Sequence, residues 1–141
     1  MSSQREEEVD CPSCDHTQTV PVWDSVNVTI APELKQRLFD GEINFFKCES
    51  CQYEAFISYP LLYHDMEQQF CVQFYPEEAL DDEEFYDEFD INGKKKQDEF
   101  LEKFDKSGQY ILEAHIVFDL DELLKYVIFR DNLFKKYGDG N

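Results

Sequence analysis

The chain has 141 residues, 42% of them hydrophobic, with 13 Phe and 8 Tyr, which is one domain's length with enough apolar material for a core and excludes a globally disordered chain. No run of about 18 apolar residues exists, so no transmembrane helix is expected. The net charge of −19 argues against nucleic-acid backbones and anionic membranes as main ligands, because phosphate contacts need clustered Lys and Arg; basic protein surfaces are the natural complement.

The opening MSSQREEEVD is polar and acidic. It has no apolar stretch of the kind a secretory signal needs, so residues 1–9 are expected as a disordered tail on a cytoplasmic protein. Residues 10–141 are expected to form one α+β domain of antiparallel β-sheet with a few short helices. It divides into a cysteine-bearing half (10–75), an acidic insert (76–108) and a C-terminal strand and helix (109–141). From Gln18 the pattern alternates: Val20, Val22, Val26, Val28 and Ile30 fall on one face, Thr19, Trp23, Ser25, Asn27 and Thr29 on the other. Period two predicts a strand or bent hairpin, with Pro21 marking an edge or a kink. In APELKQRLFDG, Pro32 suits the first helical position, Leu34 and Leu38 share a face, and Gly41 can end the helix in the left-handed region.

EINFFK predicts a strand running into a second cysteine pair, and QYEAFISYP a strand closed by Pro60. LLYHDM reads as a connection. EQQFCVQFYP predicts a strand with Phe70, Val72 and Phe74 on one face and Cys71 on the other. The next stretch, PEEALDDEEFYDEFD over residues 76–90, holds nine acids and no base and is expected to be part helix, part mobile loop. DEFLEKFDKSG predicts a short helix carrying Phe100, Leu101 and Phe104, and QYILEAHIVF a β-rich run. The closing DLDELLKYVIFRDNLFKKYGDGN predicts a helix capped by Asp119, with Leu123 and Val127 as its core stripe.

Two residues separate Cys11 from Cys14 and Cys48 from Cys51. Structural disulfides are disfavoured in a cytosolic chain, and five cysteines leave one outside any pairing. A two-residue spacer lets both thiolates of one tight turn converge on one ion. Two such turns supply four sulfurs to a tetrahedral centre, which suits Zn²⁺ at about 2.3 Å per bond. The expected result is a zinc ribbon, in which binding free energy becomes folding free energy. Iron would use the same four sulfurs. Iron knuckles usually carry Gly directly after the second Cys, whereas Asp15 and Gln52 stand there; Gln accepts a left-handed backbone less readily than Asp. CPSC is also the pattern of a redox dithiol, but that motif normally sits alone between a strand and a helix. Four protein ligands leave no position for water or substrate, so the site predicts stability rather than catalysis. His16 is not needed as a ligand, and Cys71 is expected as a buried small hydrophobe.

CPSC, VPVWDSVNVTIAPELKQRLFDGEINFFKCESC and YPLLYHDME together resemble the CpXC-domain family, zinc-ribbon-like bacterial and archaeal proteins named for paired Cys-Pro-x-Cys motifs. VFDLDELLKYVIFRDNL is similar to that family's closing segment. The second pair departs from the pattern, since CESC lacks the proline, and residues 76–108 have no matching counterpart. The resemblance implies the fold and the metal site; it implies no activity, since the family's function is uncharacterised.

Three other stretches are candidates. The acidic run Glu77, Glu78, Asp81, Asp82, Glu83, Glu84, Phe85, Tyr86, Asp87, Glu88, Phe89 and Asp90 reads either as a solvated helix with an apolar inner face or as a docking segment, its aromatics giving contact and its acids steering a basic partner. EFDINGKKKQDE places Glu88, Asp90, Asn92, Gly93 and Glu99 at calcium-loop spacing, but position 1 should be Asp and three lysines interrupt it; an Asn-Gly turn is the plainer reading. Tyr63, His64 and Asp65 form a possible functional surface, although adjacent strand residues point opposite ways. The chain therefore reads as a non-catalytic zinc-binding interaction module or accessory subunit docking a basic partner, with no catalytic residue assigned. A thiol-redox enzyme, a hydrolase and a nucleic-acid-mimicking inhibitor are the alternatives.

Overall fold

Two short hairpins carry the cysteine pairs at their tips. The computed structural model describes residues 2–94, 96, 110 and 113–138. Strands β1 (Ser3–Asp10) and β2 (Thr17–Asn27) pair antiparallel, with Asp10 opposite Thr17, so residues 11–16 form the connecting turn. β3 (Phe45–Lys47) and β4 (Glu54–Phe56) form a second antiparallel pair around residues 48–53.

β1 corrects the expected disordered tail over residues 1–9. The segment looks like a tail because the backbone ladder to β2 and one half-buried face hold it, with little apolar content. Arg5, Glu7 and Val9 form that face. The Arg5 guanidinium pairs with Asp24 at 2.9 Å and lies 4.9 Å from the centre of the Tyr59 ring. Glu6, Glu7 and Glu8 charge the outer edge of the sheet, which discourages pairing with another chain.

The larger sheet has the order β1-β2-β5-β6-β7, with β5 (Leu61–Asp65), β6 (Phe70–Phe74) and β7 (His115–Val117). The α+β class holds, but this sheet is mixed: β2–β5 and β6–β7 run parallel. Parallel neighbours need long crossovers, and the segments 28–60 and 75–114 supply them. Alternation in sequence does not report strand direction. LLYHDM, expected as a connection, is β5. It lies in the middle of the sheet with Leu61, Tyr63, His64 and Asp65 all buried, so the period-two signal is lost.

The first crossover holds α1 (Glu33–Phe39), which buries Leu34 and Leu38 and ends before Gly41 at φ 77°. The second begins with a 3₁₀ turn (Glu77–Asp81) and α2 (Glu83–Tyr86), capped by the Asp82 carboxylate accepting from the Glu84 N–H at 3.0 Å. The helix expected around Phe100, Leu101 and Phe104 lies outside the described residues. Of QYILEAHIVF, only His115–Val117 is strand among the described residues. α3 (Leu120–Tyr137) is capped by Asp119, which accepts from the Asp121 N–H at 2.8 Å, and buries Leu123 and Val127 as expected. Its Asp131 takes Lys35 of α1 at 2.7 Å and Gln68 at 2.8 Å. Among the described residues no helix is long and apolar enough to cross a membrane.

Two apolar clusters result. The main core gathers Val26, Val28, Leu38, Leu61, Val72 and Val127 between the sheet and its helices; the ribbon core gathers Cys11, Val20, Val22, Phe46, Cys48 and Ile57. β2 belongs to both. Past its end, the Asn27 side-chain oxygen accepts from the Thr29 and Ile30 N–H groups at 3.1 Å each. The chain turns there, which leaves Ile30 exposed rather than on the face its alternation predicts.

Candidate metal centre

Each knuckle is built the same way. The Cys11 N–H donates to the His16 carbonyl at 2.8 Å, and the Asp15 N–H to the Cys11 carbonyl at 2.9 Å. In the second knuckle the Cys48 N–H donates to the Tyr53 carbonyl at 2.8 Å, and the Gln52 N–H to the Cys48 carbonyl at 3.0 Å. The tight return requires a left-handed residue after the second Cys, and Asp15 (φ 63°) and Gln52 (φ 67°) take that conformation. A left-handed glutamine is strained. Gln52→Gly is expected to stabilise the protein by about 0.5–1 kcal/mol, with a smaller gain for Asp15→Gly. Urea midpoints check this, and a loss of stability at Gln52→Gly overturns it.

The hairpins face each other so that the four sulfurs lie within 4.8 Å of one another. Cys11 Sγ is 3.6 Å from Cys51 Sγ, and Cys14 Sγ 3.5 Å from Cys48 Sγ. A tetrahedral ion with bonds of about 2.3 Å places its sulfurs about 3.8 Å apart, so the donor set fits a metal. All five cysteines are free thiols. Backbone N–H groups support the inner sulfurs: Ser13 donates to Cys11 at 3.4 Å and Cys51 to Cys48 at 3.5 Å. Cys11 and Cys48 are buried, whereas Cys14 and Cys51 are exposed.

The electrostatics of the cluster favour a cation. For Cys48, burial acts upward, but the N–H groups of Cys51 and Ser50, with the thiols of Cys14 and Cys51, bring it down to about 6. For Cys14, the His16 N–H acts downward, but burial and the thiols of Cys48, Cys51 and Cys11 push it up to about 12. One thiolate forms readily and a further one is opposed, because negative charges packed this closely repel. A divalent ion removes that conflict.

Gln18, which sequence reasoning missed, braces the two hairpins. Its Nε2 donates to the Lys47 carbonyl at 2.9 Å, and its Oε1 accepts from the Glu49 N–H at 3.0 Å. Asn44 was missed too. Buried at φ 53°, its Oδ1 accepts from the Trp23 N–H at 2.6 Å and its Nδ2 donates to the Trp23 carbonyl at 3.0 Å. Nothing local marks either residue, because each bonds a distant backbone. His16 stands outside the sulfur cluster, 3.9 Å from a Glu49 carboxylate oxygen.

The other candidates are placed differently. Tyr63, His64 and Asp65 are buried, so they are no surface. The Asp65 carboxylate accepts from the Gln68 N–H at 2.9 Å and holds the β5–β6 turn. His64 Nε2 shares a hydrogen bond of 2.6 Å with the Tyr110 hydroxyl, and burial lowers its pKa below the usual histidine value. Cys71, paired across the strands with His64, is buried and pushed up to about 12, which makes it an inert thiol. At the proposed calcium loop, Asp90 Oδ1 accepts from the N–H groups of Asn92 (2.9 Å) and Lys94 (3.0 Å), closing an Asn-Gly turn with Gly93 at φ 81°. Glu99 lies outside the described residues.

All nine carboxylates of residues 77–90 are exposed. Phe85 turns inward to Tyr75, ring centres 4.8 Å apart, with Phe89 half-buried beside it at 5.1 Å. Tyr86 stays outside. Two of the three aromatics that the docking reading turns toward a partner therefore serve this protein's own packing, as the reading with an apolar inner face expects.

No curated protein and no solved structure matches the chain. The family model described as CpXC protein matches residues 9–136. That span holds both knuckles, both cores and nearly all of α3, and the chain belongs to the CpXC family.

Proposed function

We propose that this protein is a non-catalytic cytoplasmic interaction module whose Cys11, Cys14, Cys48 and Cys51 hold one structural zinc ion and whose acidic segment, Glu77–Asp90, meets a basic surface of a partner protein. The observation that carries the first part is the convergence of four thiols from two hairpin tips. Such a set satisfies a tetrahedral ion completely and leaves no open position for a reacting group. The side chains that an enzyme reading would recruit are otherwise committed: Asp65 holds a turn, His64 is hydrogen-bonded to Tyr110, and Cys71 stays protonated. For the second part, nine exposed carboxylates without an intervening base provide long-range attraction to a basic surface.

Metal analysis combined with thiol counting tests the metal reading. The expected result is one zinc per chain, no rapidly reactive thiol in the native protein, and five after denaturation with chelator. One iron per chain instead would overturn zinc. A reversible Cys11–Cys14 disulfide in metal-free folded protein would overturn the structural role.

A further inference from the structure

α3 packs Leu123 and Val127 into the main core, yet its outer side is not simply polar. Phe129 is 55% exposed, Leu133 38% and Tyr137 59%. With half-buried Tyr126 they fall within about a quarter turn of the helix, so they form one apolar stripe. A shallow groove of about 500 Å³ runs along it, lined by Phe129, Leu133, Phe134 and Tyr137 among others. Two charges stand on the same stripe, Glu122 and Lys136, both exposed. Each is seven residues from Phe129, one toward either end of the helix. Seven residues are close to two turns, so both lie within about 20° of Phe129 around the axis and about 10 Å from it along the axis. α3 holds four bases against three acids in a chain of net charge −19, so two copies repel each other least along this helix.

We propose that this face pairs two copies of the chain, α3 against α3 and antiparallel, with Phe129 at the two-fold axis. That arrangement sets Glu122 of each copy against Lys136 of the other, so one spacing in the sequence yields two ion pairs. It also opposes the two helix dipoles. A parallel pairing would instead set glutamate against glutamate and lysine against lysine. The apolar stripe covers itself, and a self-complementary contact of this kind closes at two copies. A single helix pair buries less than the roughly 800 Å² per partner of a standard interface, so a dissociation constant of about 10–100 µM is expected. The pairing rests on α3 alone and is independent of the docking reading above.

Sedimentation equilibrium of the full chain tests this, from about 10 to 500 µM protein in about 0.15 M salt, which screens the general repulsion. A monomer–dimer equilibrium is expected. Phe129→Glu should weaken it at least about tenfold. Glu122→Lys sets lysine against Lys136, and Lys136→Glu sets glutamate against Glu122. Each should weaken the dimer about threefold to tenfold. The two substitutions together restore both ion pairs in reverse and should return the dimer to within about threefold of the native chain. Net charge does not imitate this pattern, because Glu122→Lys makes the chain less negative and Lys136→Glu more so. A monomer at every concentration overturns the proposal, as does a dimer that Phe129→Glu leaves intact. Single charge variants that shift the equilibrium in opposite directions, or a double variant no tighter than either single, overturn the antiparallel pairing. All three side chains are exposed, and the charge variants decide the matter even where Phe129→Glu disturbs α3.

Discussion

Replacing Cys48 with alanine is expected to melt the ribbon core while the main core stays folded. Cys48 is fully buried against Cys11, Val20, Val22, Phe46 and Ile57. The strands that carry it, β3 and β4, are only three residues each. A two-stranded ribbon that short does not hold in water by itself. The zinc ion proposed here would supply about 10–16 kcal/mol, as in knuckle peptides, as much as the whole stability of an ordinary domain. The main core keeps α3, β5 and β6 and has its own buried residues. Hydrogen exchange should show the amides of Asp15 and Gln52 losing at least about 100-fold in protection. Trp23, the single tryptophan, packs against the main core, so its emission should remain native. A red shift of Trp23 together with the amide losses would mean that the cores melt as one. Unchanged amide protection would mean that Cys48 does not organise the ribbon.

The second large effect belongs to Asn44. Its side chain satisfies both the N–H and the C=O of Trp23, while its own carbonyl accepts from the Ile57 N–H at 2.6 Å. It therefore ties the start of β3 to β2 and to the end of the second hairpin. Alanine removes both side-chain bonds, leaves polar backbone without partners at about 1–3 kcal/mol, and lacks the local hydrogen bonding that lets asparagine tolerate the left-handed region. Asn44→Ala is expected to cost about 2–3 kcal/mol, read from the urea midpoint at constant slope. Asn44→Gly relieves the backbone and should cost about 1 kcal/mol less. A loss below about 1 kcal/mol for alanine would show that water replaces the amide.

The cysteine site was legible because its code is local. Two-residue spacing, the left-handed residues at 15 and 52, and the strand after each knuckle lie within a few positions of each other. The ends of α1 and α3 were legible for the same reason: Pro32, Gly41 and Asp119 act on their own turn. β1 was hidden because an edge strand needs only backbone partners, and its side chains read as a solvated tail. β5 was hidden because burial on both faces removes alternation, so Tyr63, His64 and Asp65 passed for a loop surface. Parallel pairing was hidden because direction depends on where a distant segment returns. Gln18 and Asn44 do their work across 29 and 21 residues, a distance at which local pattern carries no signal. The inward turn of Phe85 depends on Tyr75 and Phe118, so aromatic content alone could not show which way it faces.

The parallel pairing of β2 with β5 also sets an order of events in time. Its strands are separated by the whole of residues 28–60, and closing a loop of that size costs about 3 kcal/mol of chain entropy. The second knuckle lies inside this loop and the first lies at the tip of the β1–β2 hairpin. An ion that gathers both knuckles early leaves only the short stretch from Gln52 to Pro60 open before β5 reaches β2. The saving is about 1 kcal/mol, several-fold in rate if the pairing forms in the transition state. An ion held by the four cysteines would then act on how fast the sheet assembles as well as on how long it lasts, and a chain synthesised without it would wait longest at the step that joins its two halves.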